Sequence, residues 1–322
     1  MRRNVFDCRA GSPDPAARAI SSGSGDPALQ GQGPCRRTFL KQLGAAAAAV
    51  VLPRTIVAAA GALRNRIFAC DWTLGKACDP GSFAIASRIG LDGVQVDFGR
   101  VKEGVARPPL FDEAHQDRIL AASAEQRVPI ASLALGVLNN VPYKSDASAE
   151  QWVLDSVAVM KRMRAKVTLL AFFTKGDLVD DPTGIDAVIR KLQVLAPRAA
   201  DAGVVYGFES WLKVPVLERI LDAVNSPALR VYYDVGNMQK VGEDVTAAIR
   251  RLGRERICEV HLKDYDDLYG KGSMNFPAVR EALAAIDYRG WLGIEGVKTP
   301  LGMEPSIKYD LEYLRTVFPK SV

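Results

Sequence analysis

The chain has 322 residues, 48% hydrophobic and 25% charged, which is ordinary globular composition. Its formal charge of +5 is unevenly placed: eight of the 42 basic residues but only three of the 37 acidic ones fall in residues 1–62, so the remainder carries 34 of each. A neutral body gives no sign of a polyanion-binding surface and argues against nucleic acid as the partner. Of the five cysteines, Cys70, Cys78 and Cys258 lie in that body. An odd count argues against a disulfide framework and favours free thiols near the core, with a Cys70–Cys78 pair left open.

In chain order, residues 10–34 are rich in Gly, Pro, Ser and Ala, a composition that predicts disorder. Cys35-Arg36-Arg37-Thr38-Phe39-Leu40-Lys41 follows, then an apolar run from Leu43 to Leu52 and Ile56-Val57-Ala58-Ala59-Ala60. Paired arginines ahead of Phe-Leu-Lys and a moderately apolar, Ala-rich stretch resemble a twin-arginine export signal. Ala58-Ala59-Ala60 or Ala60-Gly61-Ala62 supplies the small residues a signal peptidase needs. On this reading residues 1–62 are a disordered n-region and signal peptide served by the twin-arginine export machinery. Residues 63–322 are then one exported, periplasmic domain. The apolar run is too short to span a bilayer, so no integral membrane protein is expected after processing.

From Arg64 onward, β-rich runs alternate with amphipathic helical ones. The expected strands are Ile67–Cys70, Gly93–Asp97, Ile130–Leu135, Val167–Phe172, Val204–Glu209, Arg230–Asp234, Ile257–Leu262 and Trp291–Glu295. Between them lie helical segments such as Ala114–Glu125, Ala149–Met163, Ile185–Ala202, Val245–Leu252 and Phe276–Ile286. Eight strand–helix units in about 260 residues match the size of a (β/α)8 TIM barrel. A doubly wound open sheet is the runner-up, disfavoured because no Gly-rich phosphate loop follows any strand.

A barrel places its chemistry at the C-terminal ends of its strands. Four consecutive expected strands end on ligand-type residues: Glu209, Asp234, His261 and Glu295. Their separations correspond to about one βα unit each, so closure brings all four to one point. Three carboxylates gathered there would repel one another, and a divalent cation resolves the repulsion. Oxygen donors with one imidazole suit Mn²⁺ first, with Mg²⁺, Co²⁺ or Zn²⁺ as alternatives. His115, the other histidine, falls in a polar helical stretch and is read as a solvated residue. Lys263 shares strand parity with His261 and should reach the mouth, to hold a substrate oxygen or to pair with Asp264 or Asp266. Trp72 and Trp211, just past strands one and five, can stack on a sugar face. Below the metal, Glu259 and Arg230 share inward parity and are expected to pair, with Gly207 and Gly293 leaving room.

Glu209, Asp234-Val235-Gly236-Asn237, His261-Leu262-Lys263-Asp264, Gly270-Lys271-Gly272 and Gly290-Trp291-Leu292-Gly293-Ile294-Glu295 together resemble the xylose isomerase-like TIM-barrel superfamily. Cys70-Asp71-Trp72-Thr73-Leu74-Gly75 and Gly90-Leu91-Asp92-Gly93-Val94-Gln95-Val96 resemble its opening units, and the likeness covers residues 64–318. The group includes sugar phosphate isomerases and epimerases, ketose 3-epimerases, inosose dehydratases and apurinic endonucleases. The resemblance implies that Glu209 and Glu295 both bind metal and exchange the substrate proton. Many members carry a histidine where this chain has Asn237, which can bind a hydroxyl but cannot act as an acid or base. The function expected is therefore a metal-dependent isomerase or epimerase acting through an enediolate on a small keto or aldo sugar. Export and the lack of a phosphate-gripping turn after strands seven and eight point to an unphosphorylated substrate, as does the acidic run Asp264-Tyr265-Asp266-Asp267. A dehydratase or lyase on the same site and a non-catalytic periplasmic sugar-binding barrel are the alternatives, and a homo-oligomer stays open. A zinc-cluster phosphodiesterase is disfavoured by the presence of only two histidines.

Overall fold

The computed structural model describes residues 66–101 and 106–320. The twin-arginine reading and the boundary at residue 62 lie outside the described residues. Eight parallel strands, β1 (Ile67–Cys70), β2 (Gly93–Asp97), β3 (Ile130–Leu135), β4 (Val167–Phe172), β5 (Val205–Ser210), β6 (Leu229–Asp234), β7 (Ile257–Leu262) and β8 (Leu292–Ile294), pair in sequence order. β8 then pairs with β1 and closes the barrel. The helices are α1 (Gly81–Ile89), α2 (Glu113–Gln126), α3 (Ala147–Met163), α4 (Pro182–Asp201), α5 (Val214–Val224), α6 (Val235–Lys240), α7 (Val245–Arg256), α8 (Phe276–Ala285) and α9 (Met303–Val317).

The expected (β/α)8 TIM barrel is thus the fold, and five of the eight strands match their expected bounds. β5 starts and ends one residue later than the hydrophobic run suggests. β8 is only three residues long, so Glu295 stands just beyond it, on the loop. Helix starts follow side-chain caps: Asp112, Asp146, Asp181 and Asp244 each accept backbone N–H groups at the first turns of α2, α3, α4 and α7. Among the described residues no helix is long and apolar enough to cross a membrane.

The strands bury both faces, as a parallel sheet between helices and a packed interior requires. Outward residues join the helices in the main apolar core. Inward residues form a second cluster within the barrel, including Phe68, Leu169, Tyr232 and Trp291. Trp291 carries the Arg66 guanidinium 4.0 Å above its ring. Inside this second cluster Gly207 leaves the space that Tyr232 fills: a Cβ there would stand 2.7 Å from the Tyr232 ring. The space beside Gly293 is taken by Phe68 and His261. Glu259 does face inward and is 2% exposed, but its expected partner is wrong. Arg230 stands near the start of β6 and donates instead to the Pro227 carbonyl at 3.2 Å. Glu259 is bonded by the Tyr232 hydroxyl at 2.8 Å. Cys70, Cys78 and Cys258 are free thiols.

Candidate metal centre

Barrel register brings the site together. Asp234 and His261 are direct partners across β6 and β7, and Glu209 is the penultimate residue of the neighbouring strand β5. Donor atoms of Glu209, Asp234 and His261 lie within 4.8 Å of one another, all buried. His261 Nδ1 is 3.1 Å from Glu209 Oε1, while its Nε2 is 3.0 Å from Gln95 Oε1. Asp234 divides its two oxygens. Oδ1 caps α6 by accepting the Asn237 N–H at 2.8 Å. Oδ2 has no hydrogen bond and faces the Lys263 ammonium at 3.2 Å. Glu295, the fourth expected ligand, lies outside this trio. Trp72 Nε1 donates to its Oε1 at 3.1 Å, and Lys263 pairs with its Oε2.

Electrostatics follow from burial. Loss of water pushes the Glu209 carboxyl up to about 8; Glu295 adds to the rise and Lys263 opposes it. Burial likewise raises Asp234 to about 6, against the pull of Lys263, and drives His261 down to about 4. Burial also works to raise Glu295, but the Lys263 ammonium outweighs it and holds that carboxyl below its ordinary value. Burial disfavours the Lys263 charge, yet Asp234 and Glu295 keep it firmly protonated. A buried imidazole beside oxygen donors, one of them without a hydrogen bond, fits a divalent cation, which Glu209, Asp234 and His261 would hold. The second imidazole nitrogen is already engaged by an amide oxygen, as metal-binding histidines generally require.

Above the trio opens a cavity of about 610 Å³. Trp72, Trp211, Asn237 and Lys263, all proposed from sequence for substrate, line it together with Glu209 and Glu295. Lys263 reaches this point because Gly236 and Gly296 flank its stem; a Cβ at either would collide with it. Its pairing with Asp264 or Asp266 does not occur. Asp264 turns into its own loop, accepting the N–H groups of Asp266 and Met274 at 3.0 Å. None of Asp264, Asp266 and Asp267 lines the cavity, so repulsion of a phosphate by that run falls away as an argument. Asn237 is buried, its Nδ2 reaching Glu209 at 3.4 Å and its Oδ1 accepting the Tyr265 hydroxyl at 2.5 Å. Lys240 stands 4.1 Å over the Trp211 ring. His115 is half-buried, not solvated, with Nε2 2.9 Å from the Cys78 carbonyl.

Sequence reasoning missed Tyr265, Gln95 and Asp97. Tyr265 was hidden in an acidic loop. Gln95 sat mid-strand, and only its inward parity with Asp97 signalled a role. Asp97 lines the cavity from β2, its carboxyl raised to about 6 by burial and accepting the Gly99 and Gly136 N–H groups.

A closed parallel barrel with a carboxylate–imidazole cluster at the C-terminal ends of its strands defines a class of enzyme scaffold. Within that class, the Xylose isomerase-like TIM barrel family matches residues 83–317, and the chain belongs to it. It is 24% identical over 200 residues to 2-epi-5-epi-valiolone 7-phosphate 2-epimerase of Actinoplanes sp., covering 62% of this chain and 72% of that one. It is 23% identical over 244 residues to an Escherichia coli protein provisionally named L-ribulose-5-phosphate 3-epimerase SgbU, covering 67% and 82%. Among solved structures, D-psicose 3-epimerase of Clostridium cellulolyticum H10 with D-tagatose superposes with a TM-score of 0.67 at 13% identity, covering 79% of this chain and 99% of the other.

Proposed function

We propose that the protein is a divalent-metal-dependent sugar epimerase or isomerase whose substrate is an unphosphorylated keto or aldo sugar met after export. The convergence of Glu209, Asp234 and His261 under a cavity that Glu295 and Lys263 also enter carries the reading. When bound, the cation supplies Lewis acidity to a carbonyl and its neighbouring hydroxyl. Glu209 and Glu295 descend from strands three apart in the barrel and flank the substrate. One removes the carbon-bound proton and the other returns one; in the reverse direction their roles exchange. Lys263 stabilises the oxygen on which negative charge gathers, and Asn237 orients a hydroxyl without moving a proton. Trp72 and Trp211 offer faces for the sugar ring.

The names of both relatives include a phosphate group, whereas the superposed barrel holds a free ketose. The Arg36-Arg37 leader favours the free sugar, since sugar phosphates are made and kept in the cytoplasm. Of Lys263, Lys271 and Lys298 only Lys263 lines the cavity, and that one is engaged by carboxylates; Arg100 is the other cationic side chain of the lining. Elemental analysis of wild type and His261→Ala, with deuterium exchange from solvent into a panel of ketoses, tests the proposal. One cation per wild-type chain, none in the variant, and exchange at a single carbon are expected. Equal metal in both proteins, or no exchange into any sugar, would refute it. The latter would leave a sugar-binding barrel, and loss of water from the substrate would mark a dehydratase.

A further inference from the structure

The candidate metal centre occupies one side of the cavity, and the other side carries a charge that the proposed reaction does not use. Asp234 stands at the end of β6 and Asp97 at the end of β2. In a closed ring of eight strands these two are four strands apart, on opposite sides of the barrel mouth. The wall around Asp97 is otherwise apolar low down, where Ala134, Leu169 and Ala171 line the cavity.

Asp97 is held in that wall by backbone from two loops. Its Oδ1 accepts the Gly99 N–H at 2.6 Å and its Oδ2 accepts the Gly136 N–H at 3.0 Å. The second bond needs a glycine, because a Cβ at Gly136 would stand 2.5 Å from Oδ2. The residue is 8% exposed, and it lines the cavity. A carboxylate oxygen can accept two hydrogen bonds, and among the described residues no other donor reaches either oxygen of Asp97. Arg100 and Asn140 line the same cavity, from the segments after β2 and β3. Both are exposed, and among the described residues neither side chain is hydrogen-bonded or ion-paired. A rigid acceptor in company with such donors matches one kind of group: a hydroxyl, which donates one hydrogen bond and accepts others. A guest with an apolar end would cover the carboxylate without giving it a donor, which is costly.

We propose that Asp97 is a specificity-determining residue that accepts hydrogen bonds from hydroxyls at the end of the sugar remote from the metal, with Arg100 and Asn140 donating to the same hydroxyls. The site then selects a sugar with a hydroxylated tail over one whose tail is deoxygenated. Naming that end the tail rests on the function proposed above, which puts the reacting carbonyl at the metal; the polar wall itself does not depend on it.

The test pairs each active ketohexose of the deuterium-exchange panel with its 5-deoxy and 6-deoxy counterparts, on the full-length Mn²⁺-loaded protein. Wild type should prefer the hydroxylated member by about 10–100-fold in kcat/KM at one of the two positions, the worth of a hydrogen bond to a charged group. In Asp97→Asn the hydroxylated sugar should lose far more than its deoxy partner, so that the preference falls to a few-fold. A carboxylate that only staples the two loops would lower both members alike and leave their ratio untouched. Arg100→Met, at an exposed position, should narrow the same preference, and it keeps the test open if Asp97→Asn does not fold. No preference in the wild type, a ratio unchanged in the variants that fold, or a phosphorylated ketose whose advantage disappears in Arg100→Met would each overturn the inference. Titration calorimetry of the same pairs separates it from the reading beneath it. Binding that depends on a tail hydroxyl and on Asp97, with no turnover, would uphold the tail subsite and sink the proposed function; turnover without that dependence would do the reverse.

Discussion

Lys263→Met tests the electrostatic design of the site. The ammonium is 10% exposed and faces Asp234, which is fully buried, and Glu295, whose side chain is 15% exposed. Water therefore screens neither pair well. Removing one partner of a buried ion pair costs about 3–5 kcal/mol, because the other charge is left uncompensated. For a domain of this size each kcal/mol moves the melting temperature by about 2–4 °C, so metal-free Lys263→Met should melt about 6–20 °C below metal-free wild type. The gap should narrow as pH falls, since protonated carboxyls need no counter-cation. Saturating Mn²⁺ restores positive charge among the same carboxylates, so it should raise the melting temperature of the variant more than that of the wild type. Scanning calorimetry in chelator and in Mn²⁺ gives all four values. Equal melting of the two metal-free proteins, or a smaller Mn²⁺ response in the variant, would refute the assignment of Lys263 as the counter-charge of Asp234 and Glu295.

Glu209→Gln and Glu295→Gln should each lower turnover by orders of magnitude in the deuterium-exchange assay, while Asn237→Ala does much less, because only the carboxylates move the proton; equal losses would reverse these roles. For matched free and phosphorylated ketoses, kcat/KM should favour the free sugar, and cell fractionation should find the protein outside the cytoplasm; a preference for the phosphate ester would overturn the substrate class. On α9, burial lifts the Asp310 carboxyl to about 7 from 3.8; its Oδ1 accepts the Tyr269 N–H at 2.8 Å and its Oδ2 has no partner. A carboxyl harder to ionise when folded costs nothing at pH values below the unfolded pKa and its full penalty above the folded one, up to about 4 kcal/mol. Asp310→Asn should therefore flatten the loss of stability as pH rises through that window, measured by urea melts; an unchanged slope would contradict it.

The sequence by itself determined the barrel and which ligand-type residues gather at the ends of its strands. Strand positions are written locally, in short β-rich runs such as Val167–Phe172 between helical segments, and a parallel barrel adds its strands in chain order. A ligand residue recurring once per βα unit therefore had to arrive at one place, which is why Glu209, Asp234 and His261 were legible before any coordinates. What tertiary structure alone decided is which side chain each of these meets. Inward parity correctly aimed Lys263 and Glu259, but parity names a face and not a partner. Lys263 turned to Asp234 and Glu295 because Gly236, on α6, and Gly296, on the loop after β8, clear its path. Glu259 found Tyr232 and not Arg230 because Arg230, nearer the start of β6, turns back to Pro227. Gln95 gained its place beside His261 only through closure, which sets together residues 166 apart in the chain. Such contacts depend on the register and stagger of eight strands at once, and no local periodicity encodes them.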